Sequence, residues 1–148
     1  MHSKHKPANV IQDLQFFGEF GGVNPSISDS STYTFLAAKS MMDTFEGNTE
    51  GCYLYSRHST PSNLYLSEAL AQMEGTESAN VTASGMGAIT STLLQLCKSG
   101  DHIISSRTIY GGTYAFLKNF APKLGITSSF IDFTKAELVE AAITPSTK

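Results

Sequence analysis

The hydrophobic pattern of the chain predicts a series of helices and strands from residue 62 onward. Leu66, Leu70 and Met73 recur at helical spacing, and Gly75 follows where a left-handed residue commonly ends a helix. Beyond this helix the pattern predicts three strands and three helices in alternation, at 78–83, 85–98, 102–106, 112–123, 126–131 and 135–142. Because strands that alternate with helices at this interval form a parallel sheet, the pattern predicts an α/β domain.

Glycines and one threonine–glutamate pair mark the ends of these helices. Gly100 and Gly125 stand where the second and third helices are expected to stop. Thr134 and Glu137 have the spacing of a capping box, in which two side chains satisfy backbone N–H groups at a helix start. The last helix is therefore predicted to open at this pair.

The first 61 residues show no sustained periodicity. They include GEFGGVNPSISDSSTYTF, which is rich in glycine, serine, asparagine and proline, and a short helix predicted at 35–45. Long irregular segments are uncommon inside a compact domain. We therefore predict an extended arm at 1–61 that packs on a partner, followed by a domain at 62–148.

The predicted sheet is small for a complete domain. Only three strands are predicted, and a fourth is expected to begin at ITPSTK, where the chain ends. We expect residues 62–148 to be the first part of a larger α/β domain, and the chain to be a fragment.

Composition narrows the choice of partners. The 148 residues are 41% hydrophobic and 16% charged, which is typical of a globular domain. The net charge is −3 and the basic residues are scattered, so we expect neither a nucleic-acid nor a membrane partner. Cys52 and Cys97 lack CxxC spacing, which favours a reducing, cytoplasmic location and no metal site.

A small, glycine-rich stretch separates the first predicted strand from its helix. Ser84, Gly85 and Gly87 precede or open the helix at 85–98. Unpaired backbone N–H groups and the macrodipole make the start of a helix suitable for an anion. The sequence therefore predicts a phosphate site at this turn.

Several nucleotide and catalytic motifs match this turn poorly. Gly85 and Gly87 give G-x-G, but Thr90 occupies the sixth position of the dinucleotide fingerprint, and no acidic residue ends the next strand. Arg107 would suit a 2′-phosphate, so an NADP-binding Rossmann domain stays open as an alternative. A nucleophile elbow at Ser84 fails because Thr82 and Met86 stand where that motif needs glycine, and no Walker sequence occurs.

Pyridoxal phosphate fits the order of the residues better. Its site needs a phosphate cradle, a flat side chain against the pyridine ring, a lysine and a carboxylate. The chain supplies the first at Ser84-Gly85-Met86, and Tyr110 follows the second strand, at the sheet edge where ligands of α/β proteins collect.

Two long stretches of the chain resemble a known family. YLYSRHSTPSNLYLSEALAQMEGTESANVTASGMGAI, followed by GDHIISSRTIYGGTYAFL, is similar to the Cys/Met-metabolism family of pyridoxal-phosphate enzymes, over about residues 18–148. The resemblance implies the large domain of a fold type I PLP-dependent transferase, an α/β/α sandwich with a mostly parallel sheet. It also implies β- or γ-elimination or γ-replacement on a small amino-acid substrate, either a sulfur amino acid or an activated homoserine.

The resemblance also assigns roles to individual residues. Gly85 and Met86 match the backbone amides that hold the cofactor phosphate, with Ser84 shaping the turn. Tyr110 matches the tyrosine that stacks on the cofactor ring and assists proton transfer. Tyr55 and Arg57 match a pair that reaches the phosphate of a neighbouring subunit, which implies a homo-oligomer, with a dimer of dimers in the intact enzyme.

The remaining family features lie outside this chain or differ from it. The resemblance places the Schiff-base lysine and the aspartate for the pyridine nitrogen downstream, and it matches Thr147-Lys148 to the start of the fourth strand. The methionine γ-lyase subgroup carries cysteine where this chain has Gly112, which favours a sulfhydrylase, a γ-synthase or a cystathionine lyase. A non-catalytic truncated subunit stays open as the other reading.

Three further residues are expected to be structural. His58 and His102 are interpreted as structural, with His102 as a hydrogen-bonded edge residue. Cys97 is interpreted as a small core side chain.

Overall fold

The computed structural model describes residues 19–48 and 51–148. The beginning of the predicted arm, at 1–18, lies outside the described residues. The chain divides into two compact units between Val81 and Thr82. In the part of the chain that is described, no helix is long and apolar enough to cross a membrane.

Among its described residues the first unit contains two α-helices, α1 at Ala38–Phe45 and α2 at Pro61–Glu74, and a short 3-10 turn at Glu19–Gly21. Thr60 caps α2, since its side chain accepts a hydrogen bond from the Asn63 N–H at 3.1 Å. Gly75 ends α2 with φ 69°, a left-handed conformation that glycine adopts without strain. The predicted helix at 35–45 and the predicted end at Gly75 are both confirmed.

The segment before α1 is attached to the start of α2. The Ser28 N–H donates to the Ser62 hydroxyl at 2.8 Å, and the Ser28 hydroxyl lies 3.0 Å from the Tyr33 hydroxyl. Thr32 pairs with Tyr55 in an isolated antiparallel bridge. Side-chain hydrogen bonds to the start of α2 and one isolated backbone bridge therefore hold this segment.

The second unit contains a parallel sheet with helical segments after each strand. Strand β1 is His102–Ser106 and strand β2 is Thr127–Ile131. They pair in parallel with His102 opposite Thr127 and Ser106 opposite Ile131. The helical segments are α3 at Gly85–Leu96, α4 at Gly111–Ala115 and α5 at Ala136–Ala142.

A small core joins these elements. Ile103, Leu117, Ala121 and Ile126 are buried together. Leu93, Cys97, Phe116 and Phe130 pack against them at partial exposure. Cys97 therefore occupies the predicted position beside the core, and burial raises the pKa of its thiol.

The strand predicted at 78–83 is not present. This segment has no strand partner among the described residues. An apolar pattern shows which residues can be buried, but a strand also needs a neighbour to bond its N–H and C=O groups. The prediction of three strands is therefore wrong, because residues 19–48 and 51–148 contain two strands.

A third segment nevertheless joins the sheet beside β1. Thr147 pairs in parallel with His102, and the His102 N–H donates to the Ser146 carbonyl at 2.8 Å. The Lys148 N–H donates to the His102 carbonyl at 3.0 Å. Thr147 and Lys148 thus lie where the fourth strand was expected to begin.

His102 lies between these backbone segments, not at an edge. Its ring nitrogens lie 2.9 Å from the Thr147 hydroxyl and 2.8 Å from the Ser129 hydroxyl. The expectation of an edge position was wrong because β1 has a backbone neighbour on both sides.

The helix predicted at 112–123 is broken into three parts. After α4 the chain widens into a π-helical turn, Phe116–Phe120, and then tightens into a 3-10 turn, Ala121–Leu124. Pro122 has no N–H, and its ring collides with the carbonyl four residues earlier in a regular helix. The Ala121 N–H bonds the Phe116 carbonyl, five residues earlier, and this wider turn accommodates the proline that follows.

The capping box predicted at Thr134 and Glu137 is also absent. Lys135 is the residue before α5 and makes no side-chain cap. The Asp132 carboxylate accepts from the Thr134 N–H at 3.1 Å and from its hydroxyl at 2.7 Å. A carboxylate is the stronger acceptor, so Thr134 acts as a donor to Asp132 and does not cap the helix.

Candidate functional site

The start of α3 leaves two backbone donors without an acceptor. The Ser84 hydroxyl accepts from the Gly87 N–H at 3.0 Å, and the Ser84 carbonyl accepts from the Ala88 N–H at 3.0 Å. Within the described residues, the Gly85 and Met86 N–H groups have no hydrogen-bond partner. Together with the helix macrodipole, these two donors provide a place for an anion.

The two glycines of this turn have different surroundings. A Cβ added at Gly87 would lie 3.1 Å from the Ser84 hydroxyl oxygen, so glycine there leaves room for the cap. A Cβ added at Gly85 would meet nothing within 4 Å. Packing therefore does not require glycine at position 85. A side chain at this position would fill the open space beside the Gly85 N–H. This is the geometry of a cradle that a ligand phosphate can approach.

Tyr110 lies at the start of α4, just beyond the carboxyl end of β1. Its side chain is 71% exposed, and its carbonyl accepts from the Tyr114 N–H at 3.0 Å. A Cβ added at Gly112 would lie 2.7 Å from Cε1 of the Tyr110 ring and 3.2 Å from the Met86 sulfur. The structure thus brings the predicted ring-stacking residue and one residue of the predicted cradle to the same side of Gly112.

Thr113 supports this arrangement and was not identified from the sequence. It is 3% exposed, and its hydroxyl lies 3.7 Å from the Met86 sulfur. The contact links the first turn of α3 to α4. Small residues after a tyrosine give no recognisable signal for such a contact, because it depends on how two helices meet.

Arg107 is engaged at the same sheet edge. Its guanidinium lies 2.7 Å from the Asp132 carboxylate. Hydrogen bonds from Thr134, and then the charge of Arg107, hold the pKa of Asp132 below its usual value. The guanidinium that the NADP alternative needs for a 2′-phosphate is therefore already paired.

Tyr55 and Arg57 belong to the first unit, whereas the cradle belongs to the second. The Arg57 guanidinium lies 5.1 Å from the centre of the Tyr55 ring, within the range of a cation–π contact. Both side chains are exposed, and Arg57 makes no ion pair in the described part of the chain. The Arg57 guanidinium is therefore held against the Tyr55 ring and is accessible to an anion.

A cavity of about 350 Å³ lies elsewhere in the first unit. Its lining includes Cys52, Tyr53 and His58, and none of the predicted cofactor residues. Burial raises the pKa of the Tyr53 phenol.

Comparison with known proteins identifies the relatives of the chain. Residues 9–148 match the sequence profile of the family described as Cys/Met metabolism PLP-dependent enzyme. The chain is 45% identical to a methionine γ-lyase of Arabidopsis thaliana over an alignment of 142 positions, which covers 93% of this chain and 32% of that protein. It is 39% identical to an L-methionine γ-lyase of Porphyromonas gingivalis, covering 87% of this chain and 32% of that protein.

A solved structure shows the same fold. An O-acetylhomoserine (thiol)-lyase of Campylobacter jejuni, which carries a pyridoxyl-lysine phosphate, superposes with a TM-score of 0.88 at 27% identity. The match covers 98% of this chain and 35% of that one. The parallel sheet and its helices are thus part of a fold type I domain, as predicted.

The comparisons also bear on two earlier expectations. Methionine γ-lyases are among the relatives, so the preference for a sulfhydrylase, a γ-synthase or a cystathionine lyase, which was based on Gly112, receives no support. The Rossmann alternative is rejected, because the profile of the PLP-dependent family covers nearly the whole chain. The chain spans about a third of the length of the curated relatives it matches, and it belongs to the Cys/Met metabolism family of PLP-dependent enzymes.

Proposed function

We propose that this chain is the amino-terminal third of a PLP-dependent enzyme that eliminates or replaces the β or γ substituent of a sulfur amino acid or an activated homoserine. The observation that carries the proposal is the pair of N–H groups at Gly85 and Met86, which have no hydrogen-bond partner among the described residues, with open space at Gly85. The family assignment supplies the cofactor that fits them.

The residues of the second unit bind and orient the cofactor. The Gly85 and Met86 N–H groups donate to the phosphate, and the Ser84 hydroxyl, which accepts from Gly87, has its own proton left to donate. Tyr110 packs its ring against the pyridine, and its hydroxyl holds or moves a proton on the substrate side. When bound, the protonated pyridine ring supplies an electron sink for a carbanion at the substrate α carbon.

Tyr55 and Arg57 act on the cofactor of a neighbouring subunit. The exposure of both side chains and the unpaired guanidinium of Arg57 support this role. A guanidinium binds phosphate through two parallel hydrogen bonds, and the Tyr55 ring limits how far it can turn. The functional protein is therefore a homo-oligomer, with a dimer of dimers as the proposed assembly.

The lysine that bonds the cofactor is not among the residues of this chain. Lys148 is the last lysine of the chain, and its backbone N–H bonds the His102 carbonyl beside β1, where the sheet continues. We therefore propose that the chain alone has no activity and that a later segment supplies the lysine. Cytoplasmic location is supported by two free cysteines.

A bulky side chain at position 85 tests the proposal. Gly85→Val in the complete protein should abolish binding of pyridoxine 5′-phosphate, a probe that has the ring and the phosphate but no aldehyde. Because an added Cβ meets no neighbour, stability in urea should change by less than about 1 kcal/mol.

Ala88→Val is the matched control for this experiment. Ala88 is exposed on the same helix, and its N–H already bonds the Ser84 carbonyl. This variant should bind the probe as the parent does. Full binding by Gly85→Val would contradict the cradle and favour the non-catalytic reading.

A further inference from the structure

The turn that leads from β1 to Tyr110, at residues 107–109, is attached to the end of β2. The Arg107 N–H donates to the Ile131 carbonyl at 2.9 Å, which continues the pairing of the two strands by one bond. The Arg107 guanidinium donates to the Asp132 carboxylate at 2.7 Å. The backbone and the side chain of one residue therefore both join this turn to the segment after β2.

The Asp132 carboxylate is held in place independently of Arg107. One of its oxygens, Oδ1, accepts from the Thr134 N–H and hydroxyl, and the other, Oδ2, accepts from Arg107. The Asp132 side chain is 20% exposed, whereas that of Arg107 is 63% exposed. Asp132 is therefore the fixed partner of the ion pair, and it anchors the more exposed arginine.

Tyr110 depends on this turn for its position. It lies three residues after Arg107, and its side chain is exposed. Its carbonyl accepts from the Tyr114 N–H, a bond within the start of α4. The hydrogen bonds between Ser106 and Thr108 are also local. Of the hydrogen bonds that residues 107–110 make in the described part of the chain, those of Arg107 are the ones that reach a different strand.

We propose that Arg107 and Asp132 are positioning residues, whose ion pair sets where Tyr110 lies relative to the cradle at Gly85 and Met86. The proposal rests on the function proposed above, because it concerns the ring that faces the cofactor. The ring and the phosphate of the cofactor are covalently joined, so the tyrosine and the cradle have to be held at a matching separation. The ion pair consequently matters for a ligand that reaches both, and not for a ligand that occupies the cradle alone.

Two probes separate these cases in the complete protein. Pyridoxine 5′-phosphate has both the ring and the phosphate, whereas inorganic phosphate, titrated by ³¹P NMR, has only the group that fits the cradle. Arg107→Met should weaken binding of pyridoxine 5′-phosphate about twofold to fivefold, the range of an exposed ion pair, and leave inorganic phosphate binding unchanged. No loss with pyridoxine 5′-phosphate, or an equal loss with both probes, would overturn the proposal.

Asp132→Asn distinguishes positioning from a direct effect of charge. The asparagine oxygen can still accept from Thr134, but the negative charge that holds Arg107 is removed. Loss of positioning weakens pyridoxine 5′-phosphate binding in both variants. A direct effect of charge on the phosphate would weaken binding in Arg107→Met and strengthen it in Asp132→Asn, and this opposite pattern would overturn the proposal.

Lys118→Met is the matched control. It removes an exposed cation of the same unit that makes no ion pair among the described residues, so it should bind both probes as the parent does. In a Tyr110→Ala background the effect of Arg107→Met should disappear, because the ring that the ion pair positions is gone. A loss that persists in this background would overturn the positioning role.

Amide hydrogen exchange of the protein without cofactor gives a measurement that is independent of the proposed function. The N–H of residue 107 should exchange faster in Arg107→Met and in Asp132→Asn, whereas the Thr127 N–H, which bonds the Asp101 carbonyl, should be unchanged. Unchanged exchange at residue 107 in both variants would overturn the proposal. Faster exchange in a protein whose parent does not bind pyridoxine 5′-phosphate would support the attachment of the turn and reject the proposed function.

Discussion

A Ser84→Asp substitution separates the two roles of Ser84. The side chain caps α3 by accepting from the Gly87 N–H at 3.0 Å, and it lies beside the two free N–H groups proposed to hold a phosphate. Aspartate caps a helix as well as serine does. It also brings a negative charge next to the proposed phosphate, so folding and cofactor binding should respond in opposite ways.

The expected magnitudes follow from the cap and from Coulomb's law. Ser84→Ala should lower the free energy of unfolding by about 1 kcal/mol, whereas Ser84→Asp and Ser84→Asn should keep it near the parent value. Two charges about 4 Å apart repel by about 1 kcal/mol in water and about 4 kcal/mol at a protein surface. Ser84→Asp should therefore weaken pyridoxine 5′-phosphate binding roughly fivefold to thousandfold.

Urea unfolding and titration with the probe at two salt concentrations provide the assay. Ser84→Asn is the control, because it is neutral and retains a capping acceptor. The loss in Ser84→Asp should shrink at high salt, since the site is exposed and its charges are screened. Equal binding by the aspartate and asparagine variants at low salt would refute an anion site at this helix start.

Two more predictions concern the charged side chains. Arg57→Lys should weaken binding of the probe in the complete oligomer, because lysine cannot make two parallel hydrogen bonds to a phosphate. Lys39→Gln is the control, since it removes an exposed cation that is paired with Asp43, and it should leave binding unchanged. A crystal structure with Arg57 on the phosphate of its own subunit would contradict the intersubunit role. Asp132 has a pKa below its ordinary 3.8 in the folded state, so its contribution to stability is present above that pH and lost in more acidic solution. Asp132→Asn should reduce the dependence of urea stability on pH below 3.8, and an unchanged profile would contradict the assigned hydrogen bonds.

Local patterns were sufficient for much of the fold. Gly75 ends α2 as expected, and β1 has the predicted bounds, because periodicity and glycine act within a few residues of the chain. The strand at 78–83 was wrong because pairing depends on segments that are distant in sequence. Pro122 divides the helix that periodicity predicts, and Asp132 binds Thr134 in place of the predicted capping box, so single residues override both patterns.

The sequence predicts which residues form the candidate site, but it does not predict how their side chains are arranged. Ser84 could be placed at a helix start, and Tyr110 after a strand, from sequence order alone. That Met86 and Tyr110 lie against the same glycine depends on the packing of α3 on α4 and on one ring orientation. No periodicity encodes such a contact, so the surroundings of Gly112 and the contact of Thr113 emerged only from the structure.

The backbone bonds between His102 and residues 146–148 also set how short this chain can be made. A version that ended before Ser146 would leave the His102 N–H and carbonyl without these partners and would turn β1 into an open sheet edge. Exposed strand edges pair with other chains and cause aggregation. Expression trials of shorter versions should therefore keep the last three residues, and soluble yield should fall when they are removed.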